Sequence, residues 1–169
     1  MKKIKIRINS MFIVFTILAL GLILIHGCVS QKPEDVIMNY VRKNFKNMDK
    51  NAENCVFIIT EYGCIPCNME MSRLASKFVD MQGIYVVVNA NANGTVIDIS
   101  PYWEAKKTEQ ISYDTNRYFD KHDLKSSYAI FIKNDRIDTI LDADARRLIN
   151  NKKYILKRIT SQTDNYKAE

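Results

Sequence analysis

Soft metal ligands are scarce in this chain of 169 residues, which holds two histidines and four cysteines. Beyond residues 1–27 they reduce to Cys28, Cys55, Cys64, Cys67 and His122. A structural zinc site wants about four ligands. Cys55 opens an apolar stretch that ends near Cys64, and at ~3.3 Å per strand residue its two ends lie on the order of 20 Å apart. Cys55 therefore neither ligates with the Cys64/Cys67 pair nor bridges to it, and reads as a small buried hydrophobe. Repeats and low-complexity segments are lacking as well. Acidic residues are missing from residues 1–27, where Lys2, Lys3, Lys5 and Arg7 stand, so removing that segment takes the net charge from +6 to +2. The basic character belongs to the N-terminus. Lys106-Lys107 and Lys152-Lys153 are most simply solvated faces, and no nucleic-acid partner, cofactor or metal site is expected.

What the chain does have is Cys64-Ile65-Pro66-Cys67 in an informative setting. Val56-Phe57-Ile58-Ile59-Thr60 before it is rich in β-branched residues and predicts a buried strand. Cys67, Met71, Leu74, Ala75, Phe78 and Met81 after it recur at helical spacing. Both cysteines thus fall where a strand ends and a helix begins. Unpaired N–H groups and the positive end of the helix dipole stabilise a thiolate there and lower its pKa. Pro66 costs nothing at a helix start, where its missing N–H has no partner to lose.

The N-terminus predicts export. A basic region is followed by an almost wholly apolar run from Met11 to Ile25, then Gly27 and Cys28. Ile25-His26-Gly27-Cys28 resembles the lipobox of a bacterial lipoprotein signal, departing from it at His26. That resemblance implies a signal over residues 1–27, lipidation of Cys28, a tether over residues 28–33 and a membrane-held place in the cell envelope, periplasmic or otherwise extracytoplasmic. The alternative is an uncleaved anchor, although the run is shorter than the ~20 residues of a spanning helix. Either way disulfides can persist around the remaining chain.

From Pro33 the pattern predicts a helix with an apolar stripe of Ile37, Val41, Phe45 and Met48, then the strand and the cysteine helix, stopped by Gly83. Ile84-Tyr85-Val86-Val87-Val88 is a second buried strand. Residues 89–113 are the least legible, with a turn at Asn93-Gly94, a short strand over Val96–Ile99 and a short helix at Pro101-Tyr102-Trp103. Asp114–Asp120 reads as helical. Tyr128–Ile132 and Arg136–Ile140 form a hairpin around Asn134-Asp135, and a last helix runs from Asp142 to Thr160, burying Leu148, Ile155 and Ile159. The fold class is α/β, with a mixed central sheet covered on both faces. The domain spans residues 34–161, and a polar tail follows over 162–169.

With these elements in place the chain resembles the thioredoxin-fold family, and within it the membrane-tethered thiol-disulfide oxidoreductases of bacterial envelopes. The motif lies in Thr60–Phe78, and Ile130-Phe131-Ile132-Lys133-Asn134 is similar to the family's late strand and its turn. The resemblance implies a thioredoxin-like three-layer α/β/α sandwich with an insertion after the central strand, about residues 89–113. It also implies Cys64 as exposed nucleophile, Cys67 as buried resolving thiol, and protein thiols or disulfides of the envelope as partners. Tyr62, Gly63, Pro66 and Ser127 would neighbour the active site. Three departures stand out. Ser127 occupies the family's cis-proline position, and a cis bond there would cost ~3 kcal/mol, so a trans peptide is expected. Ile58 replaces a buried acid six residues before the first cysteine, and Gly63 replaces an aromatic residue directly before it. A structural disulfide in a non-catalytic binding protein and a metal-handling thiol pair therefore stay open. Glu61 is either a proton relay or an exposed loop carboxylate, Tyr102-Trp103 a substrate-facing patch or core, and His122 solvent-facing.

Overall fold

The computed structural model describes residues 32–89 and 97–166. The expectations for residues 1–31, Cys28 among them, and for residues 90–96 lie outside these. Among the described residues no helix is long and apolar enough to cross a membrane.

Strand β1 (Asn54–Thr60) is buried along its whole length. Cys55, Phe57 and Ile59 join one apolar core, while Val56 and Ile58 join another on the opposite face. That split follows from the two-residue period of a strand. Strand β2 (Ile84–Asn89) lies parallel to β1, and the short β3 (Ile111–Tyr113) parallel to β2. Strand β4 (Tyr128–Lys133) runs antiparallel to β1, and β5 (Arg136–Asp142) antiparallel to β4. The result is one mixed sheet ordered β3-β2-β1-β4-β5, with β1 at its centre. Asn134 and Asp135 both take positive φ in the β4–β5 turn, the geometry that twists a tight hairpin correctly.

Helices cover both faces. Helix α1 (Pro33–Asn44) and the single-turn α4 (Tyr118–Lys121) bury Val36, Ile37, Tyr40, Val41 and Phe119 on one side. Helix α2 (Ile65–Ser76), the short α3 (Ser100–Trp103) and α5 (Leu148–Tyr166) bury Met71, Leu74, Tyr102, Ile155 and Ile159 on the other. Phe45, just past α1, stacks against Tyr85 at the start of β2 with centroids 5.0 Å apart. At the other end of the helix the Tyr118 hydroxyl donates to the Val36 carbonyl at 3.3 Å. Helix α1 therefore runs antiparallel to β1 and β2, and Pro33 lies at the end of the sheet where β1 hands over to α2.

Several boundaries differ from the sequence reading. Ile97–Ile99 is not a strand; Ile97 and Ile99 instead anchor an irregular segment in the core. Residues 114–117 are not helical, because the buried Asp114 carboxylate accepts from Tyr118 N (2.9 Å) and Phe119 N (3.0 Å) and so caps α4 from outside it. Residues 111–113, read from the sequence as part of an insertion, contribute β3 to the sheet. Strand β5 continues to Asp142 by pairing Leu141 with Ala129 and Asp142 with Tyr128, which delays the last helix to Leu148. That helix continues to Tyr166, into the stretch read as a polar tail, and α1 stops at Asn44 rather than near Met48.

Candidate functional site

Cys64 is the N-cap of α2, in extended backbone with no side-chain hydrogen bond capping the helix, and Pro66 stands in its first turn. It is joined to Cys67 by a disulfide, with Cα atoms 5.3 Å apart. Cys64 is half-buried, whereas Cys67 is 3% exposed and packs in the core with Met71 and Leu74. The bond sits beyond the carboxyl end of β1. In the sheet β1 is flanked by β2, which follows it in the chain, and by β4, which the chain reaches only after crossing back from β3. Ligands of α/β sheets bind outside strand ends at such a change of direction.

Three residues tie this corner together. Gly63 has φ +80°, and a Cβ built there would lie 2.8 Å from the Lys125 carbonyl oxygen. Only glycine fits, which explains why no aromatic residue precedes Cys64. Asn68, one residue past Cys67 and 1% exposed, donates from Nδ2 to the Tyr62 carbonyl at 2.5 Å. Its Oδ1 accepts from Ser127 N at 3.1 Å. Ser127 is fully buried, and none of the described peptide bonds is cis. Its Oγ accepts from Thr60 N at 3.0 Å, and its carbonyl accepts from Ala143 N at 2.8 Å. The β1–β4 ladder ends at Ile58 and Tyr128, so a serine hydroxyl serves the next strand amide.

Tyr62 links the corner to the end of β2. Its hydroxyl accepts from Arg117 at 2.7 Å; Arg117 also binds Asp120 at 2.7 Å, and Asn89 donates to Asp120 at 3.0 Å. Burial pushes the Asp120 carboxyl up, but the bonds from Asn89 and Arg117 outweigh it and hold it below the usual range. Glu61 is partly buried with Oε1 shielded from solvent, which departs from the exposed loop carboxylate that is one of its two readings from the sequence. Tyr102 is core, its hydroxyl bonded to Ser72 Oγ at 2.8 Å, while Trp103 is 66% exposed. His122 is exposed. Cys55 is fully buried, and burial pushes its thiol well up.

Beside the disulfide, a groove of about 440 Å³ runs between α2 and the segment around α3, lined by Pro66, Met69, Arg73, Ile97, Asp98 and Pro101. Met69 is 49% exposed, and Ile65 is exposed next to it. Glu70 lies on the groove's α2 wall. It pairs with Arg73 at 3.0 Å and with Lys152 of α5, and hydrogen bonds from Arg73 and then Lys152 hold its carboxyl at about 2. A depressed pKa contributes stability above the unfolded value, which is lost as pH falls through the folded value. Glu70→Gln should therefore lower the melting temperature at pH 7. Its deficit should shrink between about pH 4.5 and 2, the window set by the ordinary and folded values. Thermal melts of both proteins across that range test it, and a deficit that is constant with pH rules it out.

The structure brings Tyr62, Gly63, Cys64, Pro66, Cys67 and Ser127 to one corner through the bonds just given. Asn68 was not singled out from the sequence, although an amide set beside the apolar helical stripe of Cys67, Met71 and Leu74 was the available signal. Arg117 carried no signal at all. Among the described residues no group of three or more His, Cys, Asp or Glu is arranged to hold a metal ion. No protein-family model, curated protein or solved structure matches the chain.

Proposed function

We propose that this chain is a thioredoxin-like thiol-disulfide oxidoreductase, held in a bacterial cell envelope through a lipidated Cys28. One observation carries the reading: a Cys64–Cys67 disulfide in the first turn of α2, with Cys64 half-buried and Cys67 buried. In the reducing direction the Cys64 thiolate attacks a partner disulfide. A Cys64–partner bond forms, and one partner thiolate leaves. Cys67 then attacks Cys64 Sγ, re-forming the intramolecular bond and releasing the second partner thiolate. Two electrons pass to the partner, whose thiolates take protons from water. A dithiol donor restores the pair, and the reverse sequence oxidises a partner dithiol. The groove beside Pro66 has room for one or two side chains of an extended partner segment.

A second reading is favoured by Ser127, whose N–H and C=O are both engaged within the domain. In it the disulfide staples the corner of a non-catalytic binding protein. Trapping separates the two. Cys67→Ser should accumulate mixed disulfides on Cys64 with envelope proteins, visible as thiol-sensitive bands on non-reducing gels and absent from the Cys64→Ser/Cys67→Ser double variant. If none form, and the wild-type domain does not reduce insulin with dithiothreitol as electron source, the oxidoreductase reading is lost and the staple remains.

A further inference from the structure

We infer that Asn68 is a positioning residue for Cys64, acting through the two loops that its amide joins. Its place in the site is unusual. The backbone N–H of Asn68 donates to the Cys64 carbonyl at 2.9 Å, so the residue closes the first helical turn that begins at the nucleophile. From the same residue the side chain reaches back to the Tyr62 carbonyl and sideways to the Ser127 amide. Tyr62 and Gly63 are thereby fixed against the Lys125–Ser127 loop, where Gly63 already comes close to the Lys125 carbonyl. The three bonds define where the chain enters α2, and hence where Cys64 Sγ stands relative to the helix's free amides. In families that place proline at the Ser127 position, no N–H exists there to receive such a clamp, so the arrangement belongs to this chain.

The inference rests on Cys64 acting as a thiolate in exchange. Opening of the Cys64–Cys67 bond frees Cys64, after which only the backbone around it holds the sulfur in line with the helix axis. With Asn68 in place the thiolate keeps the dipole's stabilisation. Without it the Tyr62–Cys64 segment shifts and the thiolate loses that stabilisation.

The test uses the reduced protein and the rate of Cys64 alkylation by iodoacetamide against pH. Asn68→Ala should slow alkylation at pH 7 about two- to fivefold, the range of a charge's interaction with a helix terminus, and move the titration midpoint upward. Insulin reduction should fall by up to about a hundredfold, as expected when a reacting group moves by about 1 Å. Ser72→Ala, which removes the Ser72 Oγ–Tyr102 bond on the same helix and leaves the Tyr102 hydroxyl donating to the Ser72 carbonyl, should lower the melting temperature without moving the alkylation midpoint. An Asn68→Ala midpoint equal to wild type overturns the inference. Should that variant not fold, 15N NMR of the wild type decides: the Asn68 side-chain amide protons should resist solvent exchange in both redox states, and exchange at the free rate in the reduced protein overturns the inference. If wild-type protein fails to reduce insulin and Cys67→Ser traps no partner, the oxidoreductase reading fails, while the alkylation and exchange measurements still report on the clamp.

Discussion

Ser127→Pro, which installs the residue that the thioredoxin resemblance expects, should destabilise the domain rather than improve it. Proline has no N–H, so the buried Asn68 Oδ1 loses its donor. It has no hydroxyl either, so the buried Thr60 N–H loses its acceptor. Each stranded group costs about 1–3 kcal/mol, or roughly 2–6 kcal/mol together. For a domain of this size that is a fall in melting temperature on the order of 10 °C or more. Ser127→Ala removes only the hydroxyl and should lose about half as much. Melts followed by circular dichroism at pH 7 measure both, and a proline variant that melts at or above wild type contradicts the bonding described.

The second large effect is expected at Gly63→Ala. An L-residue at φ +80° carries about 1–2 kcal/mol of left-handed strain. The new methyl would also meet a backbone oxygen at 2.8 Å, which side-chain rearrangement cannot relieve. Forcing such a contact adds about 1–3 kcal/mol. Gly83→Ala is the natural comparison, since its φ is +77° but its nearest neighbour lies 3.4 Å from the built carbon. Urea unfolding should show Gly63→Ala to be the more damaging of the two at an unchanged slope. Equal losses would mean that the approach to Lys125 is not tight.

The long apolar runs were legible from the sequence because their burial is two-sided. Val56–Thr60, Ile84–Val88 and Tyr128–Ile132 could only be covered strands, and Asn134-Asp135 could only turn one into the next. Strand β3 escaped notice because three residues, Ile111-Ser112-Tyr113, hold less than one useful repeat of alternation. Asp114–Asp120 misled because Asp114 reads as the first residue of a helix, whereas its carboxylate caps a helix that begins four residues later. At the site, the disulfide corner could be read from Cys64 and Cys67 and their surroundings. The fastening of that corner could not, because it depends on Asn68, Ser127 and Thr60 meeting across 67 residues of chain. Local pattern carries no record of such a meeting. The missing aromatic before Cys64 reads as a defect in the motif until the Lys125 carbonyl is seen filling its space.

The direction of α1 bears on the tether proposed at Cys28. Only four residues lie between Cys28 and Pro33, a span of at most about 18 Å when fully extended. The helix starts at the same pole of the sheet as the disulfide. Under the proposed lipidation of Cys28, so short a leash would join the domain at its sulfur-bearing pole.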